Sequence, residues 1–349
     1  MKKVTQQHTR NNFIPPAALN LQQQVRNIPP AAVNFARPNH IQQNFKREVP
    51  VKQNFRREIA KVGPATPASD LIDKIKMFMT SDSNLYLGFG GLGDALLLLA
   101  TCWNDPKAKI VYFANYIPFV KQFFELFGKA VYLERNIMGT QVAGQIFELM
   151  THSPKFKQSA HLADGLYFGD WKFEDKYMPR IVGHVPWKEM LGTFKTKKPI
   201  LILCPSGSHR DENRQRYITP EEYKSLANKG LDDGYEVYAS GSLSDLHYYG
   251  LMHRESFHWM TAENIYNWNG TVENNSLKKM LQIINGANKV ISVDTWLKTY
   301  TLLCDIETTV IQTRWQGKYL PYGEDVTDWI FLNNKIWPNL KIEQVENLL

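Results

Sequence analysis

Residues 88–100, Gly88-Phe89-Gly90-Gly91-Leu92-Gly93-Asp94-Ala95-Leu96-Leu97-Leu98-Leu99-Ala100, follow the short apolar run Asn84-Leu85-Tyr86-Leu87. An apolar run that ends in glycines and reopens as a Leu/Ala-rich stretch reads as strand, tight turn and helix. The glycines fit G-x-G-x-x-G, the spacing that lets backbone approach the pyrophosphate of a dinucleotide. That fingerprint also requires a carboxylate at the end of the second strand, to hold the ribose hydroxyls. The second strand-like run, "KIVYFAN", ends at Asn115 with no acid in place. A nicotinamide-dependent oxidoreductase is therefore disfavoured. A phosphate-binding P-loop fails too, because no Gly-Lys-Ser/Thr follows. The stretch does carry Asp94, and two roles are open to it. It caps the new helix, accepting hydrogen bonds from free N–H groups, or it acts as a general base at the carboxyl edge of the first strand, where open α/β sheets place their ligands.

Outward from this turn, apolar runs alternate with amphipathic ones. "DLIDKIKMFMTS" reads as a helix, "NLYLGF" as a strand, "GDALLLLATCWN" as a helix, "AKIVYFAN" as a strand, "YIPFVKQFFELFG" as a helix and "AVYLER" as a strand. Such a β-α-β-α-β opening predicts a parallel sheet covered on both faces. A second series starts at "KPILILCPSG", a strand ending in a small-residue turn. Thr219 and Pro220 then supply an N-cap and a first helical position for a helix that closes on Gly234. The strand "YEVYASGS", the helix "NNSLKKMLQIINGA", the strand "NKVISVDT", the helix "WLKTYTLLCD" and the strand "TTVIQTRW" follow. The chain thus reads as two Rossmann-like halves, and the aromatic-rich segment 150–195 between them resists assignment.

At 349 residues, with 43% hydrophobic and 21% charged residues, the composition is that of a soluble globular protein. No apolar run approaches the roughly 18 residues that span a bilayer, and no apolar segment follows Lys2 and Lys3 as in a secretory leader. Cys102, Cys204 and Cys304 are far apart in apolar segments, so they read as buried thiols in a cytoplasmic protein rather than as metal ligands.

The net charge of +7 is uneven. Residues 1–69 hold 11 basic side chains against Glu48 and Glu58, a net of +9, which leaves −2 for the remainder. This tail is rich in Gln, Asn and paired prolines, a composition that buries too little apolar surface to offset chain entropy, and so reads as disordered. It repeats itself: "IPPAALN" (14–20) returns as "IPPAAVN" (28–34), and "QNFKRE" (43–48) as "QNFRRE" (53–58). Interleaved Phe and Arg/Lys suit nucleic acid or another polyanion. Two linked copies equally suit docking to a protein partner, where avidity helps. A solvated linker is the third reading.

The order "GGLGDALLLLA", "LILCPSGS…RYITPEEYKSL…GYEVYASGS", "NWNGTVENNSLKKMLQIINGANKVISVDT" resembles the heptosyltransferase family, glycosyltransferase family 9, over roughly residues 84–332. The resemblance implies a GT-B fold. A disordered tail (1–68) would precede an acceptor domain (69–190) and a nucleotide-sugar donor domain (191–349), both Rossmann-like. It implies an inverting transferase without metal or other cofactor, acting on a glycan of lipopolysaccharide type; the charge of the tail alone adds a modified nucleic-acid base as the other acceptor.

By position, Asp94 matches the base that deprotonates the acceptor hydroxyl, with Gly91 and Gly93 in the acceptor-side turn. Ser206, Gly207 and Ser208 match the turn near the donor phosphates. Arg214 and Arg216, before Tyr217, match a cation that offsets leaving-group charge. Gly241 and Ser242 match a second donor-side turn, and Asp294 and Thr295 the family's "DT". The family's Gly after "DT" is Trp296 here, and its His is Thr299. Lys298 then either supplies the cationic role or points to solvent. The departures imply an altered donor or acceptor, or a catalytically silent binding protein of the same fold.

Overall fold

A computed structural model of the chain describes residues 68–79, 83–114, 117–135, 141–151, 156–159, 185–207, 216–313 and 340–349. The chain divides into units 1–65 and 66–349, and every described residue belongs to the second. The basic tail and its repeats lie outside the described residues.

The first series runs α1 (Ala68–Phe78), β1 (Asn84–Gly90), α2 (Leu92–Thr101), β2 (Ala108–Ala114), α3 (Ile117–Leu126), β3 (Ala130–Arg135), α4 (Gln141–Thr151) and β4 (Phe156–Ser159). Its strands form one parallel sheet in the order β3-β2-β1-β4. Strand side chains alternate between faces, and this decides the layering. Leu85, Leu87, Phe89, Val111 and Phe113 pack on one face with Leu71 and Ile75 of α1 and Ile146 of α4. Tyr86, Ile110, Tyr112 and Ala114 turn to the other face, onto α2 and α3. Helix α2 is apolar nearly all round, as "ALLLLA" dictates, and Ala95 to Ala100 are buried without a break. Its C-terminal end is closed by Lys129, whose ammonium donates to the carbonyls of Cys102 (3.2 Å), Trp103 (2.8 Å) and Asp105 (3.1 Å).

The second series runs α5 (Trp187–Leu191), β5 (Ile200–Cys204), α6 (Pro220–Asp232), β6 (Glu236–Ser240), α7 (Leu243–Tyr249), β7 (Phe257–Met260), β8 (Asn264–Asn267) and β9 (Val272–Asn274). It continues through α8 (Leu277–Asn285), β10 (Lys289–Ser292), α9 (Trp296–Leu303), β11 (Thr308–Ile311), β12 (Lys341–Glu343) and α10 (Val345–Leu348). The sheet order is β12-β11-β10-β5-β6-β7-β8-β9, parallel from β12 to β7 and antiparallel through the β7–β8–β9 meander. Helix α6 starts as its sequence predicts. Thr219 Oγ1 accepts from the Glu222 N–H at 3.2 Å, the Glu222 carboxylate accepts from the Thr219 N–H at 2.6 Å, and Gly234 beyond the far end has φ +85°.

The α/β expectation with two Rossmann-like parallel sheets is borne out. The two sheets also share one core. Ile200, Ile202 and Cys204 of β5, Leu281 and Ile284 of α8 and Tyr300 of α9 join the cluster that holds Ile110, Tyr112 and Phe123 of the first series. Trp187 sits at the join, fully buried, with ring centroids 4.5 Å from Phe127, 5.8 Å from Trp103 and 6.1 Å from Tyr300. Its helix is tied to α8, where Gln282 Nε2 donates to Leu191 O (2.8 Å) and Asn285 Nδ2 to Gly192 O (3.0 Å). Among the described residues no helix is long and apolar enough to cross a membrane.

Candidate active site

The glycines of the opening turn differ in what accounts for them. A methyl group at Gly88 would lie 2.6 and 2.7 Å from ring carbons of Tyr112 and 2.8 Å from Leu98 Cδ2, so the bare backbone makes room for the tyrosine. Gly90 has φ +114°, a conformation side chains disfavour. Gly91 is the N-cap of α2, and its N–H donates to Asp94 Oδ2 at 2.9 Å. Asp94 is thus the third residue of the helix rather than its N-cap. It sits half-buried in the first turn, where the helix dipole favours an anion. A methyl group at Gly93 would touch Thr299 Oγ1 (3.4 Å) and Trp296 Cα (3.6 Å) at the start of α9. Of the three fingerprint glycines, Gly88 is required by a protein neighbour and Gly90 by its backbone conformation, while Gly93 has only ordinary van der Waals contacts.

The position of the turn carries more weight than its glycines. From β1 the chain proceeds to β2 and β3 on one side, while β4 joins β1 on the other. The turn after β1 therefore stands at the point where strand order reverses, the usual ligand crevice of an open parallel sheet. In the second sheet the reversal falls between β5 and β10. The turns leaving these two strands hold Ser206 and Gly207 on one side and Asp294 and Thr295 on the other. They meet at the strand ends: Thr295 Oγ1 lies 3.2 Å from Ser292 Oγ and 3.7 Å from Cys204 Sγ. Thr295 also caps α9, accepting from the Leu297 N–H at 3.2 Å. Burial pushes the Cys204 thiol up to about 11, so it stays protonated at neutral pH and is no thiolate nucleophile.

Lys298 is buried, and its ammonium lies 2.5 Å from Asp294 Oδ1 one helical turn back. Of the two readings open for Lys298, a cationic role or a solvent-facing side chain, the second does not hold. Trp296, the residue after Thr295, packs its ring edge-on against Phe119 (5.8 Å) and Phe123 (5.7 Å) of α3. The large side chain is accommodated by the first series.

The turns after β5 and β6 are linked by a residue that sequence reading missed. The buried Asp245 carboxylate accepts from Ser206 Oγ (2.7 Å) on one oxygen and from the Ser242 N–H (2.8 Å) and Ser242 Oγ (2.5 Å) on the other. Its signal was present as Ser242-Leu-Ser-Asp245, a capping-box spacing at a helix start. Gly241 faces the same carboxylate, since a methyl group there would lie 3.0 Å from Asp245 Cβ and 2.9 Å from the Trp259 ring. Gly207 N–H donates to Arg216 O at 2.7 Å, and Ser206 pairs with Tyr217 as an antiparallel bridge. Arg216 is thereby brought beside the turn after β5. Ser208 and Arg214 lie outside the described residues.

The two reversal points adjoin one another. The start of α2, carrying Asp94, rests on the start of α9, carrying Thr295 and Lys298.

No family model matches the chain, and no curated protein sequence does. Among solved structures it is similar to E. coli heptosyltransferase WaaC with ADP-2-deoxy-2-fluoro heptose (12% identity, TM-score 0.40), over 72% of this chain and 99% of that one. It is also similar to a glycosyl transferase family 9 protein from Veillonella parvula (11%, TM-score 0.39), over 78% and 97% respectively. A third is the E. coli ADP-heptose lps heptosyltransferase II (11%, TM-score 0.37), over 65% and 84%.

Proposed function

We propose that the chain is a glycosyltransferase that moves a sugar from a nucleotide-sugar donor to an acceptor hydroxyl. The observation that carries this reading is the apposition of two strand-order reversal points, one from each parallel sheet. Two ligand crevices that share a rim suit a reaction between two bound substrates. The order of motifs shared with glycosyltransferase family 9 supports the same reading. The acceptor side would lie on residues 69–190 and the donor side on 191–349.

In the proposed step, the Asp94 carboxylate takes the proton of the acceptor hydroxyl. The acceptor oxygen forms a bond to the anomeric carbon with inversion, as the bond from that carbon to the diphosphate oxygen breaks. The electron pair leaves with the nucleoside diphosphate. Arg216, Lys298 and the N–H groups at the start of α9 would offset the developing charge without a metal ion. Candidate acceptors are a lipopolysaccharide-type glycan and a modified nucleic-acid base, the latter reached with the basic tail. DNA binding that falls steeply with salt and disappears on deleting residues 1–62 would support the nucleic-acid acceptor. Unchanged binding would sink it.

A second reading, a silent binding protein of the same fold, is favoured by one observation. The Ser206 hydroxyl and the Ser242 N–H are engaged by Asp245, and Lys298 by Asp294. A thermal-shift screen against nucleotide sugars, followed by assay of nucleoside diphosphate release, separates the readings. Release that Asp94→Ala abolishes supports the transferase. Binding without release supports a silent protein that docks a partner or polyanion through its tail, and no response to any nucleotide sugar refutes the transferase.

A further inference from the structure

Tyr112 lies at the end of β2 with no recognised part in donor or acceptor binding, yet it is built into the Asp94 turn. Its side chain is fully buried, and its ring fills the notch left by the missing side chain of Gly88. Phe124 packs against the ring at a centroid distance of 5.7 Å. From that seat the phenol donates to Gly91 O at 2.6 Å, a carbonyl that also accepts the Ala95 N–H at 3.2 Å as the first bond of α2. Gly91 is in turn the residue whose N–H holds Asp94 Oδ2 at 2.9 Å.

An N-cap glycine is the most freely rotating position at which a helix could begin. Its φ and ψ set the direction of the N–H that Asp94 accepts. A buried hydroxyl fixing the carbonyl side of Gly91 removes that freedom, so the direction of the carboxylate is set by a residue of the next strand. We propose that Tyr112 is a positioning residue for Asp94, acting through Gly91. This rests on the reading of Asp94 as the base. Tyr112 does not touch substrate; it holds the turn so that one carboxylate oxygen is fixed and the other has a defined approach to the acceptor. Gly88 and Tyr112 are in this sense a single device, a notch in β1 and the ring that occupies it. A base held to within a fraction of an ångström is what a transfer between two bound substrates demands.

Tyr112→Phe tests this directly, since it keeps the ring in the Gly88 notch and removes only the hydroxyl. Two measurements on the full chain are needed. The first is release of nucleoside diphosphate from a panel of ADP-, UDP-, GDP- and dTDP-sugars, with water as acceptor. The expected result is a kcat about tenfold lower with KM within twofold of the parent; this is the signature of an interaction that matters in the transition state alone. The second is amide hydrogen exchange at Gly91, expected to be about tenfold faster in the variant when the carbonyl clamp is lost. Unchanged kcat in an active protein overturns the proposal, whatever happens to KM. If the parent releases nothing from any donor, the transferase reading fails and the catalytic part of the proposal with it; what remains is the claim that Tyr112 fixes the Asp94 turn, which exchange alone decides. Faster exchange upholds it, and equal exchange overturns it.

Discussion

Gly88→Ala is the substitution that most sharply separates a glycine kept for a ligand from a glycine kept for a neighbour. The added methyl would lie 2.6 Å from Tyr112 Cδ2, 2.7 Å from Cε2 and 2.8 Å from Leu98 Cδ2. Leu98 can turn its methyl aside, but the tyrosine ring is held between Phe124 and the hydrogen bond to Gly91 O. Overpacking of a well-filled core costs about 1–3 kcal/mol. Against this, Gly88 has no positive φ, and alanine in a strand recovers about 0.5 kcal/mol through the unfolded chain. The net expectation is a loss of about 0.5–2.5 kcal/mol. Urea unfolding of the full chain, read as a lower midpoint at unchanged slope, measures it. The same substitution in a Tyr112→Leu background should cost little, giving a coupling of about 1 kcal/mol or more. A neutral or stabilising Gly88→Ala, or additive effects of the two changes, would refute the notch-and-ring account.

Further outcomes follow from other contacts. Lys298→Met removes the cation facing Asp294 in a largely closed environment and is expected to cost about 3 kcal/mol in urea unfolding. Asp294→Asn should fall in the same range. Trp187→Ala opens the join between the two sheets and should cost about 3–5 kcal/mol, with near-ultraviolet circular dichroism of both halves lost in one transition. The Asp105 carboxyl is pulled up by burial, but bonds from Asn84, the Lys107 N–H and Tyr86, together with nearby Lys129, outweigh this and leave it below its ordinary value. A depressed carboxyl contributes stability above its unfolded pKa of about 3.9 and loses it as pH falls through the lower folded value. Asp105→Asn should therefore lower the melting temperature at pH 7 and narrow the gap from the parent as pH falls below about 4. Thr219→Ala, which removes half of a reciprocal cap, should cost about 1 kcal/mol by the same unfolding assay.

The elements legible in the sequence were those whose apolar pattern was long and uninterrupted. β1, α2, β2, α3 and β3, and β5, α6, β6, α8, β10, α9 and β11, follow from apolar runs bounded by glycine, proline or a cap. The β7–β8–β9 meander was not legible, because its strands are three or four residues long and carry polar side chains that satisfy one another. His258 Nδ1 meets Asn267 Oδ1 at 2.7 Å, and Asn267 Nδ2 meets Glu273 Oε1 at 2.9 Å. No local pattern announces bonds between residues that far apart in sequence. Helix α4 and strand β4 were missed for a related reason, since they complete a sheet whose order becomes visible only in three dimensions. At the candidate site, the sequence pointed to the turns but not to what fills them. Asp94, Ser206, Ser242 and Thr295 were readable as residues at strand ends. Tyr112 was not, because it reaches from one strand to the turn of another, and Asp245 was legible only as a capping-box residue and not as the link between two turns.

The shared core also sets a schedule for biosynthesis. Phe123 and Phe127 beside α3 are complete as soon as the first series leaves the ribosome, but their partners are not. Trp187 is the nearest of these, and Trp296 and Tyr300 come later still. At about 5–20 residues per second, the apolar side of α3 waits roughly 10–35 s for α9. During that interval the nascent chain presents a sticky aromatic surface with nothing to cover it. Fragments ending before α9 are thus expected to aggregate when expressed alone, and a holding chaperone would find its natural target on that half-built face.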